Sequence, residues 1–377
     1  MKALVVGGTG ATGSFIVTGL LKRGYEVSML HRGVHEADAP PEVEHIHADP
    51  HWPESLQDAL TGKRFDLVVA TYGRLGLVAE AVKGHTSRFV SVGGAVAIYK
   101  GWMRITERHP QQWFEVSPVP VQEDHPLASA EGVDRFTERA RDAERTVMRA
   151  HVDGYYNATH FRYPTNVYGP RNVSAQEWSI VRRVRDGRKH LIVPGGGRTL
   201  VSRGFAENLA HGVLLAVDKP ERSAGQIYNI GDESMTLTNG EWIRLVAQVL
   251  HHEFEFVEIP FDTLPPAFAD APPLTLFPYH QVLDLTKIKG QLGYRDIVSV
   301  ERGMEMTARW YSNNPPAPGG EVEQLLGDPF NYDAEDALIE VYRSGHERLR
   351  QELRQVPISD TKFRHPYAHP QKRGDLR

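Results

Sequence analysis

The sequence predicts an α/β chain built on a doubly wound parallel sheet, and three observations in its first thirty-odd residues predict it. Residues 3–6 (Ala-Leu-Val-Val) are an apolar run with two β-branched members, the pattern of a strand buried on both faces. Gly7, Gly10 and Gly13 follow it in a GxxGxxG turn, after which Phe15, Ile16, Leu20 and Leu21 keep a helical spacing. Gly24 stands where a helix C-cap glycine belongs, and residues 25–30 read as a second strand. Strand, turn, helix and strand in this order make one βαβ unit.

Composition bounds the rest. At about 150 residues per domain, a chain of 377 residues allows two to three lobes. It has no cysteine, which excludes disulfides, thiolate metal sites and a thiol nucleophile. A net charge of −5 speaks against non-specific nucleic-acid binding, which needs a basic excess. No stretch approaches the roughly 20 apolar residues that cross a bilayer. The N-terminus runs from Met-Lys straight into a strand, without room for a signal peptide, so a cytoplasmic protein is expected.

The glycine turn points to a ligand. In such a turn the first glycine permits the tight bend, the second lets a pyrophosphate approach the backbone, and the third lets helix and strand pack closely. The helix start then offers N–H groups and a positive dipole end to phosphate. Gly7, Thr9, Gly10, Ala11, Thr12 and Gly13 are therefore the expected dinucleotide contacts, and the turn, strand and helix together define a Rossmann-type unit. The second strand ends at His31-Arg32-Gly33, with no carboxylate to accept hydrogen bonds from a ribose 2′-OH. A guanidinium suits a 2′-phosphate, so Arg32 favours NADP(H) over NAD(H), and His31 beside it joins the expected cofactor contacts.

Further landmarks follow in order. Ala48-Asp49 resembles the acidic position that contacts adenine, and residues 65–73 (Phe-Asp-Leu-Val-Val-Ala-Thr-Tyr-Gly) resemble a fourth strand with its ribose loop. Residues 88–92 resemble strand five, and residues 161–170 (Phe-Arg-Tyr-Pro-Thr-Asn-Val-Tyr-Gly-Pro) a strand six that passes the nicotinamide. Residues 225–231, 284–287 and 292–294 complete the set. Together they resemble the short-chain dehydrogenase/reductase superfamily in its extended, epimerase/dehydratase-like branch, from residue 1 to about 312. The resemblance implies a Rossmann domain of residues 1–170 plus about 201–232. It also implies a smaller interleaved α/β substrate lobe of about 171–200 plus 233–312. A C-terminal helical extension over 313–377 lies beyond it. It adds Asp49, Ala70, Thr71, Tyr72 and Pro164 to the cofactor contacts, Asn166 and Arg203 to the substrate contacts, and a homodimer through helices near 74–84 and 133–151.

The family's chemistry uses a Tyr, a Lys three residues further on and a Ser or Thr after strand five. This chain contains no Tyr-x-x-x-Lys. Aligning Ala143-Glu144-Arg145 with the family's usual Ala-Glu-Arg puts Phe136 at the Tyr position and Ala140 at the Lys position; the Ser position falls on Gly94 or Ala95. Phenylalanine cannot transfer a proton and alanine cannot bias a pKa. Tyr99 is a substitute acid if Lys100 or a nearby charge lowers its pKa, or else a substrate-lining or packing aromatic; Tyr72 is a second candidate. A strand-end Asn166 is equally explained by backbone bonding, and Arg203 by pairing with Glu207. His45, His47, Asp49 and His51 alternate at strand spacing, but Pro50 interrupts the strand and Asp49 already has an adenine role, so no metal is expected.

Thr238 and Glu241 have capping-box spacing ahead of a stripe of Ile243, Val246, Val249 and Leu250. Residues 260–278 carry six prolines and read as an irregular loop. Residues 333–353 predict an amphipathic helix with Leu338, Val341, Tyr342, Leu349 and Leu353 on one face, to pack on the body or a second subunit. The leading functional reading is an atypical NADP(H)-binding oxidoreductase that reduces a C=C or C=O bond of a small organic substrate with a proton donor outside the family set. The alternatives are a catalytically silent NADP(H)-binding regulator or scaffold, and an RNA-binding member.

Overall fold

A computed structural model describes residues 1–33, 39–71, 74–94, 99–102, 117–128, 135–172, 176–264 and 279–357. The chain divides into two units, Met1–Phe330 and Asn331–Arg377. The first unit opens with β1 (Lys2–Val6), α1 (Gly13–Leu21), β2 (Glu26–His31), β3 (Glu44–His47), α2 (Pro53–Leu60) and β4 (Leu67–Thr71). Next come α3 (Leu75–Ala81), β5 (Arg88–Gly94), α4 (Arg135–Val152), β6 (Asn157–Tyr163), β7 (Asn166–Tyr168) and α5 (Gln176–Arg185). They are followed by β8 (His190–Ile192), β9 (Arg203–Phe205), α6 (Ala206–Asp218), α7 (Pro220–Ser223), β10 (Gln226–Asn229) and α8 (Asn239–Val249). The unit ends with β11 (Glu255–Val257), α9 (Thr286–Leu292), α10 (Val300–Asn313) and α11 (Glu321–Leu326).

Seven parallel strands form the main sheet in the order β10-β6-β5-β4-β1-β2-β3. The strand order reverses between β1 and β4, and in open parallel sheets the crevice outside the carboxyl ends at such a point takes the ligand. Alternate residues of a strand face opposite sides, so the central β1 and β4, covered on both faces, are apolar almost throughout. Ala3 and Val5 of β1 with Leu67 and Val69 of β4 enter one core layer, beside Ile16, Val17 and Leu20 of α1 and Leu209 and Val213 of α6. Leu4, Val6, Val68 and Ala70 enter the opposite layer with Leu56 of α2, Val78 of α3 and Val147 of α4. Burying each such side chain contributes about 1.5–3 kcal/mol.

A third apolar cluster lies off the sheet, where Trp178 and Val181 of α5 meet Trp242, Ile243 and Val246 of α8 and Met304, Ala308 and Tyr311 of α10. Two short parallel pairs, β7 with β9 and β8 with β11, belong to this region. The capping box forms as the spacing predicts: Thr238 Oγ1 accepts the Glu241 N–H, and the Glu241 carboxylate accepts the Thr238 N–H. The second unit carries α12 (Tyr332–Leu353), capped by Asn331, whose side chain accepts the Ala334 N–H. Its expected apolar face is largely open: Val341, Leu349 and Leu353 are 72%, 50% and 56% exposed. Helical spacing tells which residues share a face, not whether anything covers it. Residues 265–278 and the tail beyond residue 357 lie outside the described residues.

Candidate dinucleotide and substrate site

The turn between β1 and α1 uses its three glycines differently. Gly7 lies at φ +86°, and a Cβ there would stand 2.5 Å from the Thr71 carbonyl oxygen. Thr71 Oγ1 in turn donates to the Gly7 carbonyl at 3.1 Å, tying the end of β4 to the loop. At Gly13 a Cβ would meet the Gly7 carbonyl at 2.5 Å and the Gly8 backbone at 2.6 Å, so helix and turn close only without a side chain. Gly10 is exposed, and a Cβ there would have the Gly7 oxygen at 3.6 Å as its one neighbour within contact distance. The fold itself leaves room at Gly10. Thr9 and Ala11 are half-buried beside it, and Thr12 is buried at the start of α1.

The remaining sequence-derived cofactor positions cluster at the same carboxyl edge. His31 ends β2 and is 5% exposed, whereas Arg32 is exposed. Asp49 follows β3; its carboxylate accepts the His51 N–H at 2.9 Å and lies 2.7 Å from His51 Nδ1. The His51 N–H and imidazole hold that carboxyl below the usual range. Ala70 and Thr71 close β4 in the core, and Pro164 is buried between β6 and β7. Tyr72 lies outside the described residues, as does Ala95.

At the positions where the family's chemistry would sit, Phe136 is 67% exposed on α4 and Ala140 is half-buried one turn on. The two glycines that end β5 differ. A Cβ at Gly93 would lie 2.9 Å from the His160 ring, while a Cβ at Gly94 would meet nothing within 4 Å. Packing therefore forbids a side chain at Gly93 and permits one at Gly94.

Tyr99 overturns the expectation of a pKa lowered by Lys100. The phenol is fully buried, donates to Asn229 Oδ1 at 2.6 Å and accepts from Arg162 Nη1 at 2.8 Å. Burial pushes it up to about 12 despite the Arg162 charge, while Lys100 is exposed. Arg162 is the hub of this cluster. It makes two bonds of 2.8 Å to the Glu144 carboxylate and a third to the Glu123 carbonyl. His160, on the same strand, lies 3.4 Å from Glu144 and shares a 2.8 Å hydrogen bond with Ser91. Glu144 was visible in the sequence only as an alignment anchor; nothing in a solvent-like Ala-Glu-Arg triplet announces a buried carboxylate.

Asn166 and Arg203, singled out separately, are direct partners in the β7–β9 register. Arg203 is buried over the Trp242 ring at 4.5 Å and donates to Asn239 Oδ1 at 2.6 Å, so its partner is Asn239 rather than Glu207. Burial lowers its pKa to about 10. Sequence reasoning missed Glu177, a fully buried carboxyl that desolvation raises to about 7 against the Arg203 charge. Asn166 Oδ1 and Gln281 Nε2 are buried without a hydrogen-bond partner among the described residues. Thr165 Oγ1 donates to Gln281 Oε1 at 2.7 Å, which links the two elements that carry them.

The fold and this edge define a class of protein: a Rossmann-type α/β chain with an oxidoreductase-like fold, whose strand order reverses between β1 and β4. More particularly, the chain matches the model of the NAD dependent epimerase/dehydratase family over residues 3–91 and 141–231. That match covers a little under half of the chain, and the fold is of the same kind as in solved members of that family. It is similar to UDP-glucose 4-epimerase of Thermotoga maritima, solved with UDP-glucose, at a TM-score of 0.66 and 18% identity, covering 84% of this chain and 100% of that one. The sterol-4-alpha-carboxylate 3-dehydrogenase, decarboxylating, of Homo sapiens is 23% identical over 256 residues, 64% of this chain and 62% of that protein. The uncharacterized protein y4nL of Sinorhizobium fredii is 31% identical over 166 residues, 39% of this chain and 45% of that protein. The chain thus spans about half to two thirds of the curated relatives named here.

Two outcomes follow from this geometry. Gly13→Ala is expected to lose about 1–3 kcal/mol in a urea titration, because backbone rather than a flexible tip blocks the added methyl. Gly10→Ala should keep wild-type stability and lose dinucleotide affinity, read by quenching or transfer of protein fluorescence. If Gly10→Ala unfolds the chain or binds normally, the turn does not work as described.

The second outcome concerns pH. Burial holds His160 at about 4, below the ordinary 6.5, so the folded state refuses a proton that the unfolded chain accepts. Its contribution is whole above pH 6.5 and is lost as pH falls toward 4, at up to about 1.4 kcal/mol per pH unit. Stability measured by denaturant titration should decline over that window, and His160→Gln should flatten the decline between pH 6.5 and 4.5. An equal slope in both proteins would refute the assignment.

Proposed function

We propose that the chain binds NADP(H) and reduces a C=C or C=O bond in a small organic molecule, with a proton source other than the family's Tyr. The observation that carries the reading is the combination of an open glycine turn with a β2 end that offers Arg32 and no carboxylate. Relatives' structures hold NAD, as in the dTDP-glucose 4,6-dehydratase of Bacillus anthracis; the preference for a 2′-phosphate rests on Arg32 alone. When bound, the nicotinamide supplies or accepts the hydride. The chain's residues orient it along the β1–β4 crevice and offer polar anchors at Asn166, Arg203 and Gln281. A polar substrate group would complete the buried Asn166 Oδ1 and Gln281 Nε2. Hydride addition to an activated C=C bond fits best, because a stabilised enolate can take its proton from solvent.

A second reading has its own support. With Phe136 and Ala140 at the Tyr and Lys positions and Tyr99 locked in the core, none of these three offers a ready acid, which favours a regulator or scaffold that senses NADP(H). We also propose that residues 1–170 with 201–232 form the cofactor domain and 171–200 with 233–312 the substrate lobe. In the same proposal α3 and α4 pair two copies into a cytoplasmic homodimer. RNA binding is disfavoured by the net charge of −5.

NADPH should bind more tightly than NADH, and Arg32→Ala should weaken NADPH roughly 10- to 100-fold, the worth of a charge-assisted bond, while changing NADH little. Equal affinities in the wild type would sink the NADP preference. Slow oxidation of NADPH across a panel of enones and ketones supports the enzyme; tight binding with no turnover on any of them gives the sensor.

A further inference from the structure

The geometry points to a binding site for a divalent transition-metal ion formed by His31, His45 and His47, on one face of the sheet at the carboxyl ends of β2 and β3. These strands run parallel in a register that sets Met29 against His45 and His31 against His47. Strand alternation then brings all three imidazoles to the same face. The His31 ring meets the other two edge to face, with centroids 5.0 Å from His45 and 4.9 Å from His47. One ring nitrogen from each residue lies within 4.8 Å of the others, and this is the one such set of three among the described residues. Sequence spacing had grouped His45 and His47 with Asp49 and His51. The structure instead pairs Asp49 with His51 and supplies His31 from the neighbouring strand.

The arrangement suits a metal in three respects. A tetrahedral zinc ion with Zn–N distances of about 2.0–2.1 Å holds its ligand nitrogens about 3.3 Å apart. Small rotations of His45 and His47, both exposed on or beside the edge strand β3, can draw the set to that spacing. His31 is buried and oriented: its Nδ1 accepts the Gly33 N–H at 3.1 Å, and its Nε2 lies 2.8 Å from His45 Nδ1. With Nδ1 accepting, the neutral ring carries its proton on Nε2, between the two imidazoles. An ion takes the place of that shared proton, which moves through solvent to His31 Nδ1. The Gly33 N–H must then turn away, and Gly33, at φ +75°, is a residue that turns at low cost. An all-imidazole set without thiolate selects ions such as Zn²⁺, Ni²⁺ or Cu²⁺ and leaves the fourth position to water.

The test titrates the metal-stripped full chain, free of dinucleotide, with ZnCl₂ by calorimetry and with CoCl₂ by visible absorption. The expected result is one ion per chain and a cobalt spectrum of four-coordinate ligation. His45→Ala and His47→Ala should each weaken binding by at least the roughly 10- to 100-fold that losing an outer-shell partner costs. His51→Ala, outside the cluster, should bind as the wild type does. Both tested histidines are exposed, so their variants should melt normally, which circular dichroism checks. No zinc uptake by the wild type, or uptake that survives in the His45→Ala/His47→Ala double variant, overturns the proposal. If the wild type takes no zinc while that double variant loses its preference for NADPH over NADH, the cluster reads a phosphate and the metal site is wrong. Because the titration contains no dinucleotide, its failure is independent of the cofactor reading above.

Discussion

The buried pair of Arg162 and Glu144 is the constraint on which the carboxyl edge of this sheet depends. Both side chains are under 10% exposed, and taking two charges out of water costs several kcal/mol per ion before any attraction is counted. That cost is offset only if nearly every remaining donor and acceptor is satisfied, and here they are. The guanidinium makes two bonds to Glu144, one to Tyr99 and one to the Glu123 carbonyl. Tyr99 passes the chain on to Asn229, whose N–H reaches Glu123 Oε1 and whose side-chain amide reaches the Val121 carbonyl. Five separated stretches of sequence, from residue 99 to residue 229, are thereby held at one end of β6. Removing either charge would leave the other buried and unpaired, which typically costs 3–5 kcal/mol.

This network decides what α4 and Tyr99 can do. In sequence, Tyr99 near the end of β5 looks like a phenol free to donate; in three dimensions its proton is already committed to Asn229. A hydroxyl with a raised pKa and no access to solvent is a structural bond, not an acid for turnover. The same helix that anchors the network through Glu144 presents Phe136 to solvent two turns earlier. The glycine turn is thus bare where packing demands it, while Phe136 stands where packing makes little demand. Gly93 and Gly94 illustrate the division within two residues. His160 excludes a side chain at the first, and open space at the second shows that the fold does not require its bareness.

The legibility of the sequence follows the range of the interactions. The β1 turn, the capping box at Thr238 and the seven ordered landmarks could be read because each is local, set by backbone conformation or by alternation within a few residues. The register that joins Asn166 to Arg203, or His31 to His47, is set by the pairing of distant strands and leaves no mark in the spacing of either partner. Glu177 and Glu144 look like ordinary helix carboxylates because burial is decided by what packs over them. The stripe on α12 is legible for the same local reason, while what covers it is not written in its periodicity.

His31 shows how the two ends of this reasoning meet. From its place after β2, beside Arg32, the sequence puts it only among the cofactor contacts. In place, its ring is held by the Gly33 N–H on one side and by His45 on the other, so it presents neither a free cation nor an outward donor to the crevice. A phosphate would need that ring protonated, which costs it the bond it accepts from the Gly33 N–H. A metal instead takes the His31 ring neutral, as the Gly33 N–H donating to its Nδ1 already has it. Arg32, exposed and adjacent, is then left to answer alone for any 2′-phosphate, and the two ligands would contend for the same short turn at the end of β2.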